Sequence, residues 1–240
     1  MPAESYWLSQ HAFVCSAQAY CVFLDLRRDK YLCTDRAAFE SLMPHLKGRT
    51  QSLCDETSEV PAEAAKLAQE LLAMDLLTSD QTHGKAADPI VTLRPHVEIV
   101  HENERLATSL NPFRILRFFI AATRAARALK RQPLEQTVTS VRRRKERVLA
   151  MRSVREADWD HLESLVRSFL ALRSYFPRNY LCLFDSLALV EFLADCNYFP
   201  DWIFGVQGEP FEAHCWVQSG DTVLNDTAEH IRPFTPIMAV

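Results

Sequence analysis

The chain has 240 residues, of which 48% are hydrophobic, enough to build one or two cores at a length that favours two domains. Its formal net charge of −4 excludes a molecule that binds polyanions with its whole surface. Met1–Gln10 is too polar for a signal peptide, and the longest apolar stretch, Leu181–Ala194, is interrupted by Asp185 and Glu191, so a cytoplasmic protein without a membrane span is expected.

Residues Tyr6–Thr34 alternate in the manner of strands, through Phe13 and Cys15, then Cys21–Leu26, then Tyr31–Cys33. Arg27-Arg28-Asp29 is a short polar turn, so Cys21–Leu26 and Lys30–Thr34 should pair as a hairpin. Thr34 or Asp35 then caps a helix from Arg36, with Ala38, Phe39 and Leu42 on one face and Pro44 as its limit. A second helix starts near Pro61 and carries Ala64, Leu67, Leu71 and Leu72 to about Leu77. Residues 1–80 thus read as a small winged-helix-like domain of three strands followed by helices.

Three roles compete for that domain. DNA binding fits the winged-helix order, but Glu63, Glu70 and Asp75 against Lys66 alone make the second helix a poor phosphate-binding face, and no nucleic-acid partner is expected. A peptide can add as an extra strand along the open hairpin edge. The third role is a structural cap on the rest of the chain.

Ser79–Pro95 has the Gly, Pro and polar content of a linker, which is placed at 81–111. From Pro112 the pattern turns helical, and Arg114–Arg147 holds eleven Lys or Arg residues against two acidic ones. Such a run serves either to dock an acidic partner or as a solvated face whose arginine stems cover apolar surface. Asp158–Arg173 repeats the helical pattern with Leu162, Leu165, Phe169 and Leu172 inward.

The chemistry is concentrated near the C-terminus. Cys182 opens an apolar run with no Gly or Pro before Pro200, His214 follows 32 residues later in a strand-like segment, and Asp226 comes 12 residues after that, at the end of the next strand. A thiol at a helix start meets unpaired N–H groups and the positive end of the dipole, both of which favour thiolate. His214 can take the thiol proton and return it to a leaving amine, and Asp226 can fix the imidazole tautomer. Two strands joined by the Ser219-Gly220-Asp221 turn place His214 and Asp226 side by side. The bland reading of each is a small core cysteine, a structural histidine and a surface carboxylate, and Cys196 and Cys215 are read as core. The seven cysteines show no CxxC pair or compact metal spacing, and no GxxxxGK[ST] loop occurs, so no metal, disulfide framework or cofactor is expected.

At these residues a family resemblance emerges. Cys182–Leu189, Phe204-Gly-Val206, Pro210-Phe-Glu-Ala-His214, Trp216-Val217, Leu224-Asn-Asp226 and the closing Phe234-Thr-Pro-Ile237 closely resemble the leader peptidase of lasso peptide biosynthesis, a transglutaminase-like cysteine protease. Val22–Leu26 and Asp29–Cys33 resemble the PqqD-like precursor-recognition domain of peptide natural-product pathways. The resemblance implies an α+β protein: a recognition domain at 1–80, a linker, and a transglutaminase- or papain-like catalytic domain at 112–240. It also implies a cysteine peptidase with Cys182 as nucleophile, His214 as general base and acid, and Asp226 as orienting residue. The leader of a ribosomally made precursor would lie along Lys30, Tyr31, Leu32 and Cys33, beside Leu67 and Leu71. An asparagine-synthetase-like cyclase would then close the freed amine onto an Asp or Glu side chain. Two readings compete with a peptidase: a delivery module that binds the precursor without cutting it, and an acyltransferase that forms an amide.

Overall fold

Strands β1 (Trp7–Ser9), β2 (Ala12–Ala17), β3 (Tyr20–Asp25) and β4 (Lys30–Asp35) open the chain. β2, β3 and β4 form an antiparallel sheet in that order, with Phe13 opposite Leu24 and Val22 opposite Cys33. The expected hairpin is present. Its polar turn closes when the Asp25 carboxylate accepts the Arg27 and Arg28 N–H groups at 2.9 and 3.2 Å, while Asp29 takes a positive φ of 51°, a conformation that Asp tolerates better than most residues.

Asp35 caps helix α1 (Arg36–Leu42) by accepting the N–H groups of Ala37 and Ala38. Pro44 falls in the 3-10 turn that follows, Met43–His45. Helix α2 (Ala62–Ala73) begins directly after Pro61. It stops short of the expected Leu77, because Asp75 turns the chain at φ 61° and Leu77–Thr78 become strand β5. β5 and β6 (Gly84–Lys85) flank β1 in a second three-stranded sheet. These strands of two or three residues are too short to show an alternation in the sequence. Phe23, Phe39, Leu42, Leu71 and Leu77 are fully buried in the core beneath the two sheets, with Phe23 edge-on to Phe39 at 5.5 Å.

The structure, a computed structural model, describes residues 5–48, 61–99, 111–151, 158–177 and 181–240. The chain divides into two compact units, one of Met1–Val91, Val206–Glu212 and Thr235–Met238, the other of Thr92–Gly205, Ala213–Phe234 and Ala239–Val240. The stretch expected to be a linker, 81–111, contributes β6 and also β7 (Val97–Glu98). Its residues 100–110, like Cys54, lie outside the described residues.

Four longer helices follow: α3 (Pro112–Arg131), α4 (Leu134–Met151), α5 (Trp159–Arg173) and α6 (Cys182–Asp195). Asn111 caps α3, and Asp158 caps α5. Then come β8 (Asp201–Gln207), β9 (Glu212–Ser219), β10 (Thr222–Val223), the single turn α7 (Ala228–Ile231) and β11 (Thr235–Ala239). The sheet order is β11-β8-β9-β10-β7, with β7 parallel to β10 and β9 antiparallel to it. The architecture is α+β, with an N-terminal strand region, a helical stretch and a sheet-containing C-terminal part.

α6 is buried at every residue from Phe184 to Leu193, which explains its near-continuous apolar sequence. Its Glu191 is the anchor for part of the basic run. Arg124 donates to it at 2.7 Å, and Arg144 makes two bonds of 2.8 Å, a fork that suits a carboxylate. Arg114 reaches back to Ser164 and Ser168 on α5 at 2.8 and 3.0 Å. These arginines therefore fasten α3 and α4 to their neighbours. Among the described residues no helix is long and apolar enough to cross a membrane.

Candidate active site

Cys182 is the first residue of α6, and the residue before it, Leu181, provides no side-chain cap. The first-turn N–H groups therefore meet no capping oxygen from Leu181, which leaves the positive end of the helix dipole open beside Cys182. Ser186, one turn on, locks this end of the helix: its hydroxyl donates to the Cys182 carbonyl at 2.7 Å and accepts the Trp202 indole N–H at 2.9 Å. The same oxygen lies 3.3 Å from the Cys215 sulfur.

His214 sits on β9, and its Nε2 lies 2.6 Å from Asp226 Oδ2. An ionised carboxylate can only accept, so the imidazole donates from Nε2. The Trp216 ring stacks nearly parallel to the imidazole, with centroids 6.1 Å apart and an 18° tilt. Gly205 on β8 makes room for that tryptophan, since a Cβ there would meet the Trp216 ring at 2.7 Å.

Asp226 does not end a strand, as the sequence suggested. β10 reaches only Val223, and the chain then bends. Asn225 holds the bend by accepting the Val217 N–H at 2.8 Å and donating to Asp185 at 3.2 Å. Asp226 Oδ1 accepts the Thr227 N–H at 2.7 Å and faces His230 Nδ1 at 2.8 Å. The polar atoms of His214, Asp226 and His230 come within 4.8 Å of one another. The bridging separations of 2.6 and 2.8 Å are hydrogen-bond lengths, so both imidazoles engage the one carboxylate.

Electrostatics follow the geometry. The Cys215 thiol donates to the Cys182 sulfur, His214 adds a second bond and its charge, and the Cys215 backbone N–H contributes further. Against the opposing effect of burial, these hold Cys182 down to about 4. Burial would lower His214, but the bonds and charges of Asp226 and Cys182 outweigh it and raise the imidazole to about 9. Cys215 is pushed well above the ordinary thiol value by burial and by the neighbouring thiolate. Between those limits the resting pair is thiolate and imidazolium, the form that attacks a carbonyl and then protonates the leaving amine.

Cys215 was read as a core residue. It is buried, but it also adjoins the Cys182 sulfur and favours its thiolate. Cys215→Ala should therefore raise the Cys182 midpoint above about 4 while leaving it below the ordinary 9.0, because His214 still contributes. The pH dependence of iodoacetamide alkylation reads this directly, and an unmoved midpoint would contradict it.

Lys30, Tyr31, Leu32 and Cys33 all lie on β4, the outer strand of its sheet. Lys30 and Cys33 are exposed, Tyr31 and Leu32 half-buried, and the Tyr31 ring packs on Phe211 of the same unit at 5.6 Å. Leu67 and Leu71 are different. They point into the core, at 8% and 0% exposure, because Ala64, Leu67, Ala68 and Leu71 form the inward face of α2. Leu71 has no surface to offer a peptide, which corrects the expectation for that residue.

Asp185, Ser186, Cys215, Asn225 and His230 are site residues that sequence reasoning missed. Two signals were present: Cys215 adjoins His214, and His230 lies one helical turn past Asp226. The family model described as the transglutaminase-like superfamily matches residues 107–239, more than half of the chain. No curated protein and no solved structure matches the chain.

Proposed function

The chain belongs to the transglutaminase-like superfamily, and on that premise we propose that it is the leader peptidase of a lasso peptide pathway. It cuts a ribosomally made precursor at the leader–core junction and leaves the core amine for a partner cyclase of the asparagine-synthetase type. The single observation that supports this most is the Cys182 thiol at an uncapped helix start beside a His214 that Asp226 holds at 2.6 Å.

In this reading Cys182 Sγ attacks the junction carbonyl, and the oxyanion forms against the first-turn N–H groups of α6, that of Cys182 foremost. The His214 imidazolium gives its Nδ1 proton to the departing amine, while Asp226 keeps Nε2–H engaged throughout. Neutral His214 then draws a proton from water, which attacks the thioester and frees the leader carboxylate. An amine in place of that water would give an amide, so the same site also supports acyl transfer. The lasso motifs favour water, since the pathway needs a free core amine.

Recognition is proposed for the outer edge of β4. Its backbone has no strand beside it among the described residues, and an extended leader can pair there, with Tyr31 and Leu32 supplying apolar contacts. The PqqD-like resemblance supports the same edge. A cytoplasmic setting suits this reading, because the proposed chemistry uses Cys182 as a reduced thiol.

The experiment is to incubate the full chain with the precursor peptide encoded beside its gene, with and without the neighbouring cyclase, and weigh the products. A single cut at one junction is expected. A precursor that binds but stays intact in every tube would replace this reading with the delivery module.

A further inference from the structure

We infer that His230 is a positioning residue for the triad, a fourth member that holds the Asp226 carboxylate in the orientation His214 needs. The inference rests on Cys182, His214 and Asp226 being the reacting groups, but not on which acyl acceptor they use.

The carboxylate is gripped on both oxygens. Oδ2 takes the His214 Nε2–H at 2.6 Å, and Oδ1 takes the Thr227 amide at 2.7 Å and His230 Nδ1–H at 2.8 Å. Because an ionised carboxylate is acceptor-only, His230 must donate, whatever the state of its other nitrogen. Thr227 follows Asp226 directly and moves with the same bend. His230 comes from α7, whose start Glu98 of β7 also holds, and so adds a donor anchored beyond the bend.

α7 has its own supports. Thr227 caps it by accepting the His230 N–H at 3.2 Å, and Glu98 on β7 accepts the Ala228 N–H at 2.6 Å. The His230 ring meets His214 edge-on, with centroids 4.8 Å apart, and Phe234 packs on both rings, at 5.2 and 6.1 Å. Half of the His230 side chain is nevertheless exposed, at 54%. A histidine needed only for packing would not expose so much surface while aiming a nitrogen at a half-buried carboxylate.

The titratable groups around His214 are Cys182 from α6, Asp226 from the bend and His230 from α7, with Asp185 of α6 beyond Asp226 and paired to Arg173 of α5. Losing a donor to Asp226 can act in two opposite ways. If His230 merely draws charge from the carboxylate, its removal makes Asp226 a better partner and the His214 midpoint rises. If His230 positions the carboxylate, its removal lets Oδ2 swing off the imidazole and the midpoint falls. Positioning requires the second.

The test compares His230→Ala, His230→Phe and His230→Asn in the full chain. Phe keeps a ring on His214 but donates nothing, whereas Asn places an amide N–H close to where Nδ1 was. The His214 ring is followed by carbon-13 resonance against pH, and Cys182 by its alkylation rate, neither of which needs a substrate. For Ala and Phe the His214 midpoint should fall below about 9, and kcat on the precursor should drop by roughly tenfold or more at unchanged KM, the scale of a misplaced catalytic group. Asn should restore both. An unmoved or raised midpoint in Ala and Phe would overturn the inference. If no variant, nor wild type, cuts the precursor while the midpoint still falls, the inference stands and the peptidase reading fails.

Discussion

Cys182→Ala should abolish precursor cleavage, by about 10⁴-fold or more, and leave precursor binding unchanged. The size follows from what would be lost: the group proposed to form the covalent intermediate, favoured as thiolate by Cys215 and His214. Binding should survive because β4, the edge proposed for the leader, belongs to the other compact unit and because a small side chain at the first turn of α6 leaves the helix intact. Single-turnover cleavage and a direct binding assay on the same preparation check both halves. Residual cleavage within tenfold of wild type would remove Cys182 from the chemistry.

Asp226→Asn is the second large effect, a loss of about 10³–10⁴ in kcat. The amide matches the carboxylate in shape but carries no charge and can turn an N–H towards the imidazole. The sign of the pH dependence can be worked out. Wild type needs Cys182 ionised and His214 protonated, so activity rises through about 4 and falls through about 9. Without Asp226, the charge and bond that lift His214 are gone and the alkaline limb moves down. The weaker imidazolium then supports the thiolate less, and the acid limb moves up. The plateau should narrow from both sides, as kcat/KM measured against pH will show. A plateau of unchanged width would mean that Asp226 does not act through His214.

That Cys182, His214 and Asp226 come together was legible in the sequence because each has a local signature. A cysteine beginning an apolar run without Gly or Pro fixes a helix start, and β9 and the Gly220 turn carry the chain from His214 towards Asp226. The supporting groups were not legible, since their roles depend on distances between segments far apart in sequence. Ser186 becomes a lock only when Trp202 arrives from β8, and Cys215 becomes a donor only because β9 passes beside the start of α6. The N-terminal hairpin and the Asp35 cap were readable from alternation and capping chemistry. β1, β5, β6 and β7 were not, because strands of two or three residues exist through their partners and not through their own pattern. In α2 the helix was clear, but Leu67 and Leu71 were assigned to a ligand although the helical period already placed them on the core face with Ala64 and Ala68.

Hydrolysis of the leader–core bond through Cys182 is tested most directly by weighing the products formed in water enriched in oxygen-18. Two fragments should appear, with one heavy oxygen on the new carboxylate of the leader and an unlabelled free amine on the core, and neither should form with Cys182→Ala. A cross-linked product without label, or an intact precursor recovered from wild type, would contradict a peptidase at this site.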